Sequence, residues 1–358
     1  IAGLAIALAV TSLMLLWVQD EWRTDKFHVN GDRIFLLKRT VPLADGTVDV
    51  QHKVPYQLMQ AAQDQLPEVE KFIPIGWDEE VTLRSGEKTF RAKGTAANPA
   101  YFEAFSFPLL AGTVQDLQER QEAIAISESL AHKFFGDQWP STAIGATINM
   151  SDRGDFWVSA VYKDFPASSS IQQDFTYSIG HFVERHNWML DWRNSGIQAA
   201  LLLAEGADAS AVVQKIEKIY KAHQQSDMKE GCIVQEFEDA YLYGQFDERG
   251  AVAGGRIKYV QMFAMAALLL LVISCINFVN LATARASKRA KEVGVRKTIG
   301  AGKDSLVAQF MVEAGLITVL SVAIGLFLAQ LALPQLQLMT EKSLQFDYAA
   351  PMLWGGIG

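Results

Sequence analysis

The sequence predicts a membrane protein in which α-helical transmembrane spans carry a large α+β extracytoplasmic domain of two subdomains. Three observations predict it. Uncharged apolar runs occur at 1–19, 260–281 and 314–333, each close to the roughly 20 residues a helix needs to cross about 30 Å of hydrocarbon. Between the first two runs lies a polar segment of about 240 residues, enough to bury a core of its own, as two subdomains. The composition is 50% hydrophobic yet 20% charged. That is too apolar for an average soluble protein and too charged for a bare membrane bundle, as a mixture of both parts requires.

The chain opens at Ile1 inside an apolar run and stops at Gly358 inside another, and so reads as a piece of a longer protein. The first run, 1–19, ends abruptly at Asp20-Glu21. A signal peptide would show a basic start and a small-residue cleavage site; without them the run reads as a span. Segment 20–259 follows as the outside domain with stalk segments at both ends. Its first part, Asp20 to Asp32, is polar and continues directly from the span. It reads either as a helical stalk stopped near Gly31 or as an ordinary linker.

Within the domain, alternation in 80–84 and 88–92 around Ser85-Gly86 predicts a hairpin. Pro55 to Leu66 predicts a helix with proline at its first turn, stopped before Pro67. Ile124-Ala125-Ile126 reads as a short strand, after which Ser127 caps a helix to Phe135 and Gly136 stops it. Phe156 to Tyr162 reads as a strand, and Ala209 to His223 as a helix with Val212, Val213, Ile216, Ile219 and Tyr220 on one face.

Then come a span at 260–283, a loop at 284–305 and a span at 306–333 stopped by Pro334. A short outside loop at 334–350 leads to the start of a fourth span at 351–358. Small residues at four-residue spacing, Gly3 with Ala7, Ala5 with Ala9 and Ser321 with Gly325, either let helices approach closely or reflect how common Ala and Gly are in spans. Asn277 and Asn280 either bond across helices or sit at the interface.

Charge gives the orientation. Between Ala284 and Ser305 seven basic residues face two acidic ones, a local +5 in a chain of net charge −8, which leaves −13 elsewhere. An acidic bulk excludes nucleic-acid binding, which needs a basic face. A short, strongly positive loop belongs on the cytoplasmic side. The connection after Pro334 holds only Glu341, Lys342 and Asp347, which suits the opposite side. Segment 20–259 is therefore extracytoplasmic, periplasmic where there is a periplasm.

Little in the chain points to catalysis. Gly300-Ala301-Gly302-Lys303-Asp304 evokes a phosphate loop, but Lys297 and Asp304 stand where the pattern needs Gly and Ser or Thr. His181 and His186 are five apart, off the spacing of a helical zinc pair. No Gly-x-Ser-x-Gly elbow occurs. Cys232 and Cys275 lie in segments of different character, so a bridge between them is not expected. Asn149-Met150-Ser151 fits a glycosylation sequon, a pattern common by chance.

The basic loop is the segment with the most specific pattern. Val293, Val295 and Ile299 interrupt its charges, and Gly294, Gly300 and Gly302 punctuate it. That is the pattern of a short amphipathic helix on the membrane surface, able to present side chains to a partner.

The strings Asn277-Phe278-Val279-Asn280-Leu281, Arg289-Ala290-Lys291-Glu292-Val293-Gly294-Val295-Arg296-Lys297 and Gly300-Ala301 resemble the signature of the FtsX-like permease domain. Tyr101-Phe102-Glu103-Ala104-Phe105, Leu109-Leu110-Ala111-Gly112, Ile124 to Ala131, Phe134-Phe135-Gly136 and Asp164-Phe165-Pro166 resemble the MacB-like periplasmic core domain. Ser168-Ser169-Ser170 departs from the Asn-Ser-His usual there.

The resemblance, to MacB/FtsX-type ABC transporter permeases and within them to the first half of a two-copy bacterial permease, implies a non-catalytic subunit. It would sit in the bacterial inner membrane with its large domain in the periplasm. A separate cytoplasmic ATPase would bind the ATP and Mg, with no cofactor in this chain, and drive export of a substrate by mechanotransmission. The alternative is an FtsX-like sensor or regulator of a periplasmic partner such as a cell-wall hydrolase, or one that binds a peptide signal. The implied partners are the ATPase, membrane lipid, a second permease copy and a periplasmic partner or adaptor.

The implied ATPase-coupling residues are Arg289, Lys291, Glu292, Val293, Gly294, Arg296, Lys297, Gly300 and Ala301. Within them Gly294 is expected to serve close helix packing, and Glu292 and Arg296 to pair with each other or with the ATPase. Glu313 is either an interfacial side chain or part of the same contact.

Overall fold

The computed structural model describes residues 1–224, 229–299, 302–340 and 342–346, without the side chains of Ala290, Glu292, Lys297, Thr298 and Lys303. The chain divides into two units, one of Ile1–Trp22 with Ile257–Gly358 and one of Arg23–Arg256.

The first unit holds three long helices, Ala2–Arg23, Ile257–Lys288 and Lys303–Thr340, with the nine-residue helix Ala290–Thr298 between the second and third. All three are long and apolar enough to cross a membrane. Even the 22-residue first helix spans about 33 Å at 1.5 Å per residue. The small residues have a packing role. Ser321, Gly325 and Ala329 form a buried stripe, and Ala5 and Ala9 are buried on the first helix. A Cβ added to Gly325 would lie 2.9 Å from the Ala5 carbonyl oxygen and 3.0 Å from the Leu8 Cβ, so only glycine lets these two backbones come so close. On the second helix Asn277 sits beside Gly3, and Phe263 packs on Trp17 with ring centroids 4.8 Å apart.

The stop expected at Pro334 is not observed. The third helix runs through it to Thr340, because proline removes one backbone donor and leaves the remaining helical bonds in place. Just beyond, Lys342 Nζ donates to Asp20 Oδ2 at 2.6 Å and lies 2.9 Å from Glu21 Oε1. Glu21 is fully buried, so this lysine neutralises a carboxylate that would be costly alone.

The second unit is built on a twelve-stranded sheet. Its strands are β1 (Ile34–Pro42), β2 (Val48–Gln51), β3 (Val69–Ile75), β4 (Glu79–Ser85), β5 (Lys88–Ala97), β6 (Leu109–Gly112), β7 (Ala123–Ser127), β8 (Thr147–Met150), β9 (Gly154–Tyr162), β10 (Phe175–Ser178), β11 (Gln198–Leu203) and β12 (Gly231–Glu236).

Two subdomains follow from the pairing. In one, β3-β11-β1-β12 are antiparallel neighbours, with helix Tyr56–Gln63 before β3 and helix Ala209–His223 between β11 and β12. That is a βαββαβ unit with the ferredoxin-like strand arrangement. In the other, β10 pairs with β7 on one side and with β5 in parallel on the other, which closes the ring β10-β7-β9-β8-β4-β5. This six-stranded barrel is inserted between β3 and β11 and joined to the first sheet at the Ile75–Ala97 bridge.

Local chemistry explains the elements. The hairpin forms with Leu83 opposite Phe90 and Gly86 at φ +59°, a left-handed turn position that glycine fills without strain. Ser127 Oγ accepts from the Leu130 N–H at 3.2 Å, and Gly136 at φ +66° ends that helix. Along β11, Ala199, Leu201 and Leu203 enter one buried cluster while Ala200 and Leu202 enter another. The period of two sends neighbours to opposite faces, so a strand between two cores is apolar throughout.

Of segment Asp20–Asp32, read as a helical stalk or a linker, only the part to Arg23 is an α-helix, and a clasp follows. The first helix ends at Arg23, and Asp25 takes φ +63°, which Asp tolerates better than most residues. Its N–H donates to the Ser168 carbonyl at 2.8 Å, and its Oδ1 accepts from the Ser170 N–H at 2.7 Å. Three residues on, buried His28 bonds the Phe105 carbonyl through Nδ1 at 2.6 Å among the rings of Phe27, Phe105, Phe107 and Phe237. Burial raises the Asp25 pKa and lowers that of His28, since both groups lose water that favours their charged forms.

Candidate functional site

The site is the loop between the second and third long helices. The second helix ends at Lys288, and a single residue, Arg289, separates it from helix Ala290–Thr298. The Arg289 N–H is shared between the Arg285 and Ala286 carbonyls at 3.2 and 3.1 Å, and Val293 N–H closes on the Arg289 carbonyl at 3.0 Å. The bifurcated bond is the usual adjustment at a helix end. A short helix therefore exists in the loop, nine residues long.

Its side chains divide into two groups. Arg289 Nη1 donates to Glu313 Oε2 at 2.7 Å, and Arg296 Nη1 donates to Gln309 Oε1 at 2.9 Å. Gln309 and Glu313 are four apart on the third helix, one turn after the other on one face. Two of the expected partner-contact arginines are thus engaged with the third helix, one of them by Glu313. Gln309 was missed by sequence reasoning; the signal was its position one turn before Glu313. The Arg289–Glu313 pair is 48% and 37% exposed, a geometry whose typical net value is about 0–1 kcal/mol. The attachment is light.

The second group faces outward. Lys291, Val295 and Ile299 recur every four residues, and all three are exposed, Val295 at 53% and Ile299 at 81%. Val293 is half-buried. Gly294 is exposed, and a methyl group added to it would meet nothing within 4 Å, so the close packing expected of it is not made within the described residues. Gly300 and Ala301 lie outside the described residues, as do the side chains of Glu292 and Lys297. Among the described residues no group of three or more His, Cys, Asp or Glu is placed to hold a metal ion.

Comparison with known proteins agrees with this architecture. The MacB-like periplasmic core domain family matches residues 1–219, and the FtsX-like permease C-terminal family matches residues 264–357. The macrolide export ATP-binding/permease protein MacB of Neisseria gonorrhoeae is 21% identical over 257 residues, 70% of this chain. The protein of the same name from Bdellovibrio bacteriovorus is 24% identical over 216 residues, 60% of this chain. The chain spans 37% and 31% of the lengths of those relatives.

Among solved structures, a domain of a putative permease from Porphyromonas gingivalis aligns at 23% identity and TM-score 0.48, over 59% of this chain and 93% of that one. The periplasmic region of MacB from Actinobacillus actinomycetemcomitans aligns at 12% identity and TM-score 0.43, over 59% and 91%. With the core-domain family matched across residues 1–219 and the permease family across 264–357, the chain belongs to the MacB/FtsX-like family of ABC transporter permeases.

Proposed function

We propose that this chain is the non-catalytic membrane subunit of an ABC-type export machine, driven through loop 284–305 by a separate cytoplasmic ATPase that binds the ATP and Mg. The observation that carries this reading is the short helix Ala290–Thr298, set between two span-length helices, with Lys291 and Val295 on it and Ile299 just past its end all exposed. Two exposed β-branched side chains one turn apart are more than a topology signal needs, since charge alone sets orientation. They suit insertion into an apolar groove on a partner, with Lys291 placed to meet an acidic rim.

Closure of two ATPases would draw such helices together at the cytoplasmic face. The motion would reach the periplasmic domain at its two junctions with the membrane unit, the clasp after Arg23 and the segment before Ile257. The second permease copy and a periplasmic partner or adaptor belong to the same reading, as does a substrate handled outside the membrane. The relatives' printed names include macrolide export and ATP binding, which favours export over regulation.

The test is purification of the full-length protein from its native host, with ATP hydrolysis measured on the complex. The wild type is expected to bring down an ATPase whose hydrolysis follows it through purification. Val295→Asp with Ile299→Asp is expected to lose that activity while still inserting. Equal activity with both would remove the loop from the coupling contact. No ATPase with either would favour a regulator or receptor that works without one.

A further inference from the structure

We propose that the crevice between the second and third long helices, beside the coupling loop, binds one anionic phospholipid, with its phosphodiester on Arg285. The crevice is lined chiefly by Phe278, Leu281, Arg285 and Arg289 from one helix and its end and by Phe310 and Glu313 from the other, with Ile1 beside them. On the second helix these residues recur at intervals of three or four, so they share one face. That face is apolar along the span and basic at the loop end. Phe278 and Arg289 are eleven residues apart, about 16 Å of helix, a length that matches a headgroup and the upper part of an acyl chain.

The charges select the ligand. Arg289 is neutralised by Glu313 at 2.7 Å. Among the described residues no hydrogen bond or ion pair engages the Arg285 guanidinium, which leaves one side-chain charge of +1 in the described lining. A guanidinium beside hydrocarbon recruits an anion, and its planar fork matches two oxygens of a phosphate. Basic pockets between helices on the cytoplasmic side hold lipid headgroups by this chemistry. A phosphodiester with an uncharged headgroup balances the +1, whereas a zwitterionic lipid brings its own ammonium and leaves the charge uncompensated. The site rests on the reading that loop 284–305 lies at the cytoplasmic membrane surface.

The experiment uses the full-length protein in nanodiscs of phosphatidylethanolamine with a minor share of phosphatidylglycerol, and quantifies by mass spectrometry the lipid that stays bound after gentle extraction. Wild type is expected to retain phosphatidylglycerol above its share. Arg285→Gln should lower that enrichment about fivefold, the weight of one arginine at a lipid surface. Lys288→Gln removes the same charge from the same turn outside the crevice and should leave the enrichment unchanged.

No enrichment in wild type, an unchanged Arg285→Gln, or an equal loss in Lys288→Gln would each overturn the site. Labelling of Ser287→Cys in cells, in a background lacking Cys232 and Cys275, reads the orientation separately. Reaction with an impermeant reagent from outside would overturn both the orientation and the site.

Discussion

The clasp after the first helix rests on geometry rather than charge, and Asp25 separates the two. Asp25→Ala removes the oxygen that accepts from the Ser170 N–H at 2.7 Å, leaving a partly buried donor unpaired at a cost of about 1–3 kcal/mol. It also puts a Cβ residue without a polar side chain at φ +63°, which costs roughly 1–2 kcal/mol more. The expected destabilisation is therefore about 2–5 kcal/mol. Asp25→Asn keeps both the accepting oxygen and the tolerance of the left-handed backbone.

The sign of the charge effect points the other way. Burial raises the Asp25 carboxyl pKa above its ordinary 3.8, so its contribution is most favourable below that value and is lost as pH rises through the folded-state pKa. At pH 7 the asparagine should match or exceed wild type. Amide exchange over 24–30 and 168–172, followed by mass spectrometry on the full chain in detergent, reads the clasp directly. Asp25→Ala should accelerate exchange in both segments together, and Asp25→Asn should not. Equal acceleration by the two variants would show that the charge holds the joint and would refute the geometric account.

Other consequences concern packing and burial. Gly325→Val drives side-chain atoms into the Ala5 carbonyl and Leu8. It should destabilise the first-to-third helix contact by about 1–3 kcal/mol, measured as a lower melting midpoint in detergent. Gly315→Ala, with nothing within 4 Å of its added methyl, should be neutral or slightly stabilising. Buried Lys38, held by Gln235 Oε1 at 2.5 Å and the ring of Phe246, has its pKa lowered from 10.5 to about 8 by burial. That corresponds to a penalty of roughly 3 kcal/mol on the ammonium. Because the folded pKa lies below the unfolded one, the penalty is full below about pH 8 and fades as pH rises towards 10.5. Thermal midpoints of wild type should thus gain on Lys38→Met between those pH values, and parallel curves would contradict this.

What the sequence showed and what it concealed follow from the range of the interactions. Spans were legible because an uncharged 20-residue run has few other uses. The Ser127 cap and the hairpin about Ser85-Gly86 were legible because each is settled within a few residues. Helix Ala209–His223 was legible because Val212, Ile216 and Tyr220 repeat with the helical period and are all buried.

The ring closure by β10 on β5 was hidden, since it joins residues some eighty apart. β11 showed no alternation because both its faces are covered. The clasp was hidden for the same reason as the ring closure. Asp25 reads as one more polar residue until Ser168 and Ser170 are brought to it, and the serine run that departs from the family pattern proves to be its partner. In the loop, charge drew attention to Arg289 and Arg296, while the contacts to Gln309 and Glu313 that occupy them come from the next helix.

The central claim is that ATP-driven motion at loop 284–305 reaches the periplasmic domain. The direct measurement is amide exchange over 24–30 and 168–172 in the full-length complex with its ATPase, with and without ATP under conditions that trap the closed state. A nucleotide-dependent change in both segments, abolished by Val295→Asp with Ile299→Asp, is the result predicted. Exchange that ignores nucleotide while the ATPase is bound and active would contradict it.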